Sequence, residues 1–238
     1  MGNSLFLRQS IENSLEIMRM MEPPDGYYLA FSGGKDSVAL YRLAEKAGVK
    51  FEAHYNVTTV DQPELVKFIR DTYPSVRFDR PKKTMWQLIV ENTCPPTRKM
   101  RYCCKELKEH GGDGRVVLMG IRSSESPRRK KSWRIVNPCK ISGTVKINPI
   151  LTWTEEEVWE FIHTENIPYC SLYDQGYKRL GCIGCPMNTH RRKELERYPK
   201  YKDNYLRAFT AMLKERERKG LPTKWKTAEE VMEWWISK

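Results

Sequence analysis

The feature that most limits the fold is an alternation of short apolar runs with helical patterns between residues 25 and 120. Tyr27-Tyr28-Leu29-Ala30-Phe31 reads as a buried strand, and Ser37–Ala47 as a helix turning Val38, Leu40, Leu43 and Ala44 inward. A second strand is expected over Phe51–Val57, and a helix over Glu64–Thr72 with Pro63 in its first turn. A third strand follows at Val76–Phe78, then helices around Thr84–Glu91 and from Tyr102, and the apolar strand Val116–Met119. Strands and helices alternating at this spacing build βαβ units, whose crossovers cover both faces of a parallel sheet. The expected class is α/β: a doubly wound, mostly parallel sheet.

The flanks differ. Ile11, Leu15 and Met18 recur at helical spacing within residues 4–21, and Glu22-Pro23-Pro24-Asp25-Gly26 ends that helix. Residues 122–146 are basic and aperiodic, which predicts a long functional loop or an incomplete strand pair. Trp153–Thr164 reads as a helix with Thr154 as cap, Glu157 as its capping-box partner, and Val158, Phe161 and Ile162 inward. The last fifty residues read as helical, interrupted at Gly220-Leu221-Pro222. The expected division is an N-terminal helix (1–24), a core (25–185) and a basic helical C-terminal extension (186–238). No apolar run approaches the roughly 20 residues of a membrane helix, and no signal-peptide layout opens the chain, so a cytoplasmic protein without a membrane partner is expected.

Ser32-Gly33-Gly34-Lys35-Asp36-Ser37 joins the first strand to the first crossover helix. That placement aims backbone N–H groups and the positive end of a helix dipole at one point. Gly33 and Gly34 admit positive φ and close approach of an anion, Ser32 and Ser37 add hydroxyls, and Lys35 adds a point charge. The loop suits phosphate, yet it is not a Walker A loop, which places four residues between its glycine and Gly-Lys-Ser/Thr.

Seven cysteines lie at 94, 103, 104, 139, 170, 182 and 185. An odd number without a secretory signal argues against a disulfide scaffold. Cys182-x-x-Cys185 alone fits half a zinc site, a redox pair or chance. Cys103-Cys104 narrows this, because adjacent side chains on a helix diverge by about 100° and reach one small ion only if the helix start is distorted. A four-iron cluster is wider and takes four thiolates, so Cys103, Cys104, Cys182 and Cys185 are read as [4Fe–4S] ligands, with zinc as the alternative. Cys170 is a candidate persulfide relay, with a buried small hydrophobe as the plainer reading. His54 and His110 read as structural, and His190 as a candidate phosphate contact.

The net charge of +12 is localised. Residues 122–140 carry seven basic side chains against one acid, and residues 186–238 fourteen against eight, a surplus of +6 in each. Arg128, Arg129, Lys130 and Trp133 in the first segment, and Arg191 and Arg192 in the second, are candidate contacts to a phosphate backbone or a stacked base. A solvated basic face is the plainer alternative.

Ser-Gly-Gly-Lys-Asp-Ser after a first strand resembles the PP-loop of the ATP-pyrophosphatase superfamily. Its members cleave ATP between the α and β phosphates and pass AMP to an acceptor oxygen. The resemblance implies ATP with Mg2+ on Ser32–Ser37, adenine near Asn56 and Thr58, and Lys35, Asp36 and Arg122 as catalytic candidates, with Gly120 beside the nucleotide. The Cys-Cys and Cys-x-x-Cys pairing resembles adenylylsulfate reductases of the phosphoadenosine-phosphosulfate reductase family. Gly120-Ile121-Arg122-Ser123-Ser124-Glu125-Ser126, Asn148-Pro149-Ile150 with Trp153 and Val158-Trp159, and Leu172-Tyr173-Asp174 resemble further segments of that family in order and spacing. The likeness spans about residues 27–186.

One departure bears on function. Those reductases carry a nucleophilic cysteine in a C-terminal Glu-Cys-Gly-x-His-type motif, whereas here no cysteine follows Cys185. The expected activity is therefore ATP-dependent adenylation of an acceptor oxygen followed by sulfur insertion, with nucleic acid as acceptor (DNA phosphorothioation or tRNA thiolation). A cysteine desulfurase is the expected sulfur donor, and a homodimer the assembly to test. The alternatives are a sulfonucleotide reductase releasing sulfite and a nucleotide-binding subunit without chemistry of its own.

Overall fold

A computed structural model describes residues 4–109, 111–138 and 143–237; His110 and Cys139, both singled out above, lie outside them, as does the side chain of Arg128. In chain order the elements are α1 (Leu5–Met20), β1 (Tyr27–Ala30), α2 (Lys35–Ala47), β2 (Phe51–Asn56), α3 (Pro63–Thr72), β3 (Arg77–Asp79), α4 (Met85–Glu91), α5 (Tyr102–Leu107) and β4 (Val116–Met119). A 3-10 turn (Ser123–Glu125) leads to α6 (Pro127–Ser132), β5 (Val136–Pro138), β6 (Val145–Ile147), α7 (Glu155–Thr164), α8 (Arg191–Arg197), α9 (Pro199–Arg218) and α10 (Ala228–Ser237). No helix among the described residues is long and apolar enough to cross a membrane.

Two units divide the chain, and the division differs from the expected one. The first comprises residues 1–55, 63–79 and 111–180; the second comprises 56–62, 80–110 and 181–238. The helix at the N-terminus is thus part of the first unit. Leu7, Ile11, Leu15 and Met18 are buried along one stripe of α1. Tyr27 Oη donates to Met18 O at 2.7 Å, Ser14 Oγ donates to Pro149 O at 2.9 Å, and Trp153 Nε1 donates to Ser14 Oγ at 3.1 Å.

The first unit holds a six-stranded sheet in the order β3-β2-β1-β4-β6-β5. β1 runs parallel to β2 and β4, and β4 parallel to β6, while β5 runs antiparallel to β6. Residues 122–146 therefore contain a short helix and a true strand pair. The chain steps outward from β1 through β2 to β3, then returns to β4 on the other side of β1. That reversal opens a crevice at the carboxyl ends of β1 and β4, the usual ligand position in such sheets.

The second unit is helical. Its core gathers Val60, Leu88, Ile89, Leu107, Ile183, Leu195, Tyr205, Phe209, Met212, Val231 and Trp235, with Cys103 and Cys182 packed against it. The C-terminal helices are thus one part of a body completed by two earlier segments, not an appendage.

Candidate functional site

The Ser32–Ser37 loop occupies the crevice where β1 ends. Gly33 has φ +71°, and a Cβ there would lie 2.7 Å from Ile69 and Leu65 side-chain carbons, so only glycine fits. Gly34 caps α2 without a side-chain bond, leaving the start of the helix to backbone groups. Ser37 Oγ donates to Gly34 O at 2.8 Å and accepts from Ser32 N at 3.2 Å, which closes the loop on itself. Gly120, at the end of β4, approaches so closely that a Cβ would meet Asp36 O at 3.0 Å. The two sides of the crevice are thereby locked together.

Charge at this point is organised by Asp36. Arg122 Nε donates to Asp36 Oδ1 at 2.6 Å, and Arg122 Nη1 to Ser124 Oγ at 2.9 Å. Arg122 is only 3% exposed. Its guanidinium ties the segment after β4 to the first turn of α2. Lys35 differs. Its Nζ lies 3.8 Å from Asp36 Oδ2 and 3.5 Å from Glu155 Oε1, and Glu155 is an exposed side chain. Lys35 is buried while its partner Glu155 reaches into solvent, so an incoming phosphate can take the place of Glu155 beside Lys35. Lys35 N donates to Tyr173 Oη at 2.9 Å. Burial holds the Tyr173 phenol well above its usual range, so it accepts as a neutral hydroxyl. Tyr173 and Glu155 were not predicted as site residues; both fall in or beside the segments that carry the family resemblance, which was the available signal.

Asn56 and Thr58, expected near adenine, belong to the second unit. Thr58 is buried and its hydroxyl bonds the Cys182 thiol, while Asn56 Nδ2 donates to Lys108 O at 3.0 Å. The Thr58 hydroxyl is thus engaged with Cys182.

All four predicted metal-ligating cysteines lie in the second unit, and they interact. The Cys103 thiol hydrogen-bonds Cys104, which together with burial and the neighbouring Cys182 and Cys185 pushes Cys103 up. That same bond, with the Arg101 guanidinium, pulls Cys104 well below the ordinary thiol range. Arg101 Nη2 stands 3.4 Å from Cys104 Sγ. Burial pushes Cys182 up to about 12, opposed by the Lys108 ammonium and the Thr58 hydroxyl. Four sulfurs with Arg101 and Lys108 aimed at them match the donor chemistry of a thiolate-held centre, whose negative charge the two cations would offset. Among the described residues no group of three or more His, Cys, Asp or Glu side chains is gathered as a site for a metal ion. Arg101 and Lys108 were missed in the sequence because a basic side chain near a cysteine is unremarkable until the sulfur it faces is known.

The basic segments divide sharply. Arg129 pairs with Glu125, Trp133 is half-buried at the end of α6, and Lys130, Lys131 and Arg134 are exposed. In the tail, Arg191 is buried and donates to Trp235 O at 2.8 Å, so its guanidinium secures α10 and is withdrawn from any substrate. Arg192 is paired with Glu233 at 2.7 Å. Tyr198 and Tyr205 pack into the helical core, as do Trp225 and Trp234 in part. Cys170 is buried and its thiol is pushed up by burial, which favours a packing role over a persulfide relay.

Residues 26–188 match the family described as phosphoadenosine phosphosulfate reductase domain. The chain is 29% identical over 192 residues to adenosine 5'-phosphosulfate reductase of Shouchella clausii, covering 73% of this chain and 77% of that protein. It is also 29% identical over 200 residues to an uncharacterised Methanocaldococcus jannaschii protein, of which it spans only 41%. Among solved structures, phosphoadenylyl-sulfate reductase from Candida auris, a phosphate complex, superposes with a TM-score of 0.55 at 18% identity, over 76% of this chain and 97% of that one. At that identity the likeness shows the fold alone.

Proposed function

Because the chain belongs to the phosphoadenosine phosphosulfate reductase family, whose domain spans residues 26–188, we propose that it binds an adenine nucleotide through the Ser32–Ser37 loop and adenylates an acceptor oxygen so that sulfur can replace it. The observation that carries this reading is the state of the thiols. A sulfonucleotide reductase needs a nucleophilic thiolate apart from its cluster ligands. Among the described residues the thiols outside the group of four are Cys94, half-buried, and Cys170, buried, and burial raises both above the ordinary thiol range, which disfavours a nucleophilic thiolate at either. Residues 186–238 contain no cysteine.

Adenylation needs no protein nucleophile. The acceptor oxygen attacks the α-phosphorus of ATP, the bond to the bridging oxygen breaks, and pyrophosphate leaves with the electron pair. Hydrosulfide, released when an external thiol reduces a persulfide on a cysteine desulfurase, then attacks the adenylated centre and AMP departs. In this scheme the loop N–H groups and Lys35 hold the phosphates that accompany Mg2+, and Asp36 with Arg122 fixes the first turn of α2. Cys103, Cys104, Cys182 and Cys185 would hold a [4Fe–4S] cluster, which supplies redox or charge-stabilising chemistry when bound. The exposed Lys130, Lys131 and Arg134 favour a polyanionic acceptor, DNA or RNA.

The test is pyrophosphate release from ATP by anaerobically prepared protein, with and without oligonucleotide. Release stimulated by the nucleic acid is expected. The names of the reductase relatives favour a second reading, and sulfite release from adenylylsulfate with a dithiol and no ATP would put it in place of the first.

A further inference from the structure

The loop carrying Cys182 and Cys185 hangs on a buried polar pair, Gln62 and Glu194, that the chemistry above does not use. Gln62 is 1% exposed and Glu194 5%. Gly181 N donates to Gln62 Oε1 at 3.0 Å, and Gln62 Nε2 donates to Glu194 Oε1 at 3.2 Å. The other carboxylate oxygen accepts from Gly184 N at 2.8 Å and from Asn188 Nδ2 at 3.2 Å. One connected pair thus grips the amide immediately before Cys182 and the amide immediately before Cys185.

The rest of the loop is equally constrained. Ile183 N donates to Val60 O at 2.7 Å, and Tyr205 Oη donates to Ile183 O at 2.8 Å. Gly184 has φ +73°, and a Cβ there would stand 2.8 Å from Trp235. Apolar packing against Trp235 and Tyr205 would hold the loop down without fixing its rotation. A buried carboxylate is a costly way to fill space, so its contribution lies in direction. Three donors converge on Glu194, which demands a side chain that only accepts. Gln62 must accept on one side and donate on the other.

We propose that Gln62 and Glu194 form a positioning pair that presets the Cys182–Cys185 loop so that both sulfurs face Cys103 and Cys104. The consequence for iron rests on the reading of the four cysteines as cluster ligands; the loop geometry does not. The pairing makes a reciprocal demand that substitutions can test. In Glu194→Gln an amide donor meets other donors, and turning Gln62 over to receive it strands Gly181 N. In Gln62→Glu two carboxylates face each other. The double exchange restores every match: the carboxylate at position 62 accepts from Gly181 N and from the amide at position 194, whose oxygen accepts from Gly184 N and Asn188.

The experiment follows amide exchange at Gly181 and Gly184 in the metal-free protein, and separately the iron bound after anaerobic reconstitution with iron and sulfide. Each single variant should speed exchange by about tenfold or more, since loss of about 1.4 kcal/mol is tenfold, and should lower iron content; the double variant should recover both. Unchanged exchange in the single variants, or a double variant no better than either, overturns the proposal. A wild-type protein that binds no iron sinks the cluster reading while the exchange data still decide on the pair. If Glu194→Gln does not fold, Gln62→Leu should expose Gly181 N while leaving Gly184 N protected, and full protection of both amides would overturn the pair.

Discussion

Lys35 shows how one residue's partners set its role. Its ammonium rests between Asp36, which is committed to Arg122, and Glu155, which is exposed. If phosphate displaces Glu155, that carboxylate competes with the nucleotide. Glu155→Gln should then tighten ATP binding by roughly twofold to fivefold, about 0.4–1 kcal/mol, the order of one ion pair made by a solvent-exposed carboxylate. Lys35→Ala should weaken it tenfold or more, since a hydrogen bond to a charged group is worth about 1.5–3 kcal/mol. Titration calorimetry reads both, and equal losses in the two variants would contradict this account. Cys170 makes a pH prediction. Burial lifts its thiol above the ordinary value of 9.0, so the native state keeps a proton that the unfolded chain releases as pH passes that value. Its contribution to stability is intact below about 9 and declines above it. Iodoacetamide at pH 8 should leave Cys170 unmodified in the folded protein and label it in urea; native labelling would reopen the relay. The glycine loop was legible because its chemistry is confined to six consecutive residues. The Tyr173 hydroxyl on Lys35 was not, because 138 residues separate the two and no local pattern joins them.

Elements were legible where their signals are local. Thr154 accepts from Glu157 N at 3.1 Å and Glu157 returns a bond to Thr154 N at 2.7 Å, so the capping box read from four letters is present. Thr154→Ala should cost about 1 kcal/mol, seen as a lower urea midpoint with an unchanged slope. A change below about 0.3 kcal/mol would mean that tertiary packing alone fixes the start of α7. The helix after β1 begins at Lys35, two residues before the apolar periodicity starts, because Gly34 caps it with backbone alone. Periodicity reports the buried face, and the first turn of α2 faces the crevice. The division into units was illegible for a different reason: residues 56–62 and 80–110 join residues 181–238 through side chains far apart in sequence, such as Val60, Ile89 and Trp235. A contiguous reading had no means of grouping them, although it had already paired their cysteines.

At the scale of the whole molecule the surplus of +12 is less available than its arithmetic implies. In the tail, Arg191 is buried against the carbonyls of α10 and Arg192 is spent on Glu233, while in the earlier segment Arg129 is spent on Glu125. What faces solvent near the sheet edge is Lys130 and Lys131 on α6 with Arg134 just after it. Formal charge counted along a sequence cannot distinguish a guanidinium that caps a helix from one that meets a partner; only the acceptors around it do. If a nucleic acid is the acceptor, the affinity should therefore depend on α6 and not on the start of α8. The triple variant Lys130→Ala, Lys131→Ala, Arg134→Ala should flatten the plot of log affinity against log salt by about 2–3 if all three meet phosphates, because each lost phosphate contact removes about 0.7–0.9 from the slope. Arg192→Ala should change the slope far less, since Glu233 at 2.7 Å competes with a phosphate for its guanidinium. Fluorescence anisotropy with a labelled oligonucleotide between 50 and 200 mM salt, about the range over which such binding falls steeply, separates the two variants. Equal slopes for wild type and the triple variant would remove α6 from the interface and, with it, the main structural support for a polyanionic acceptor.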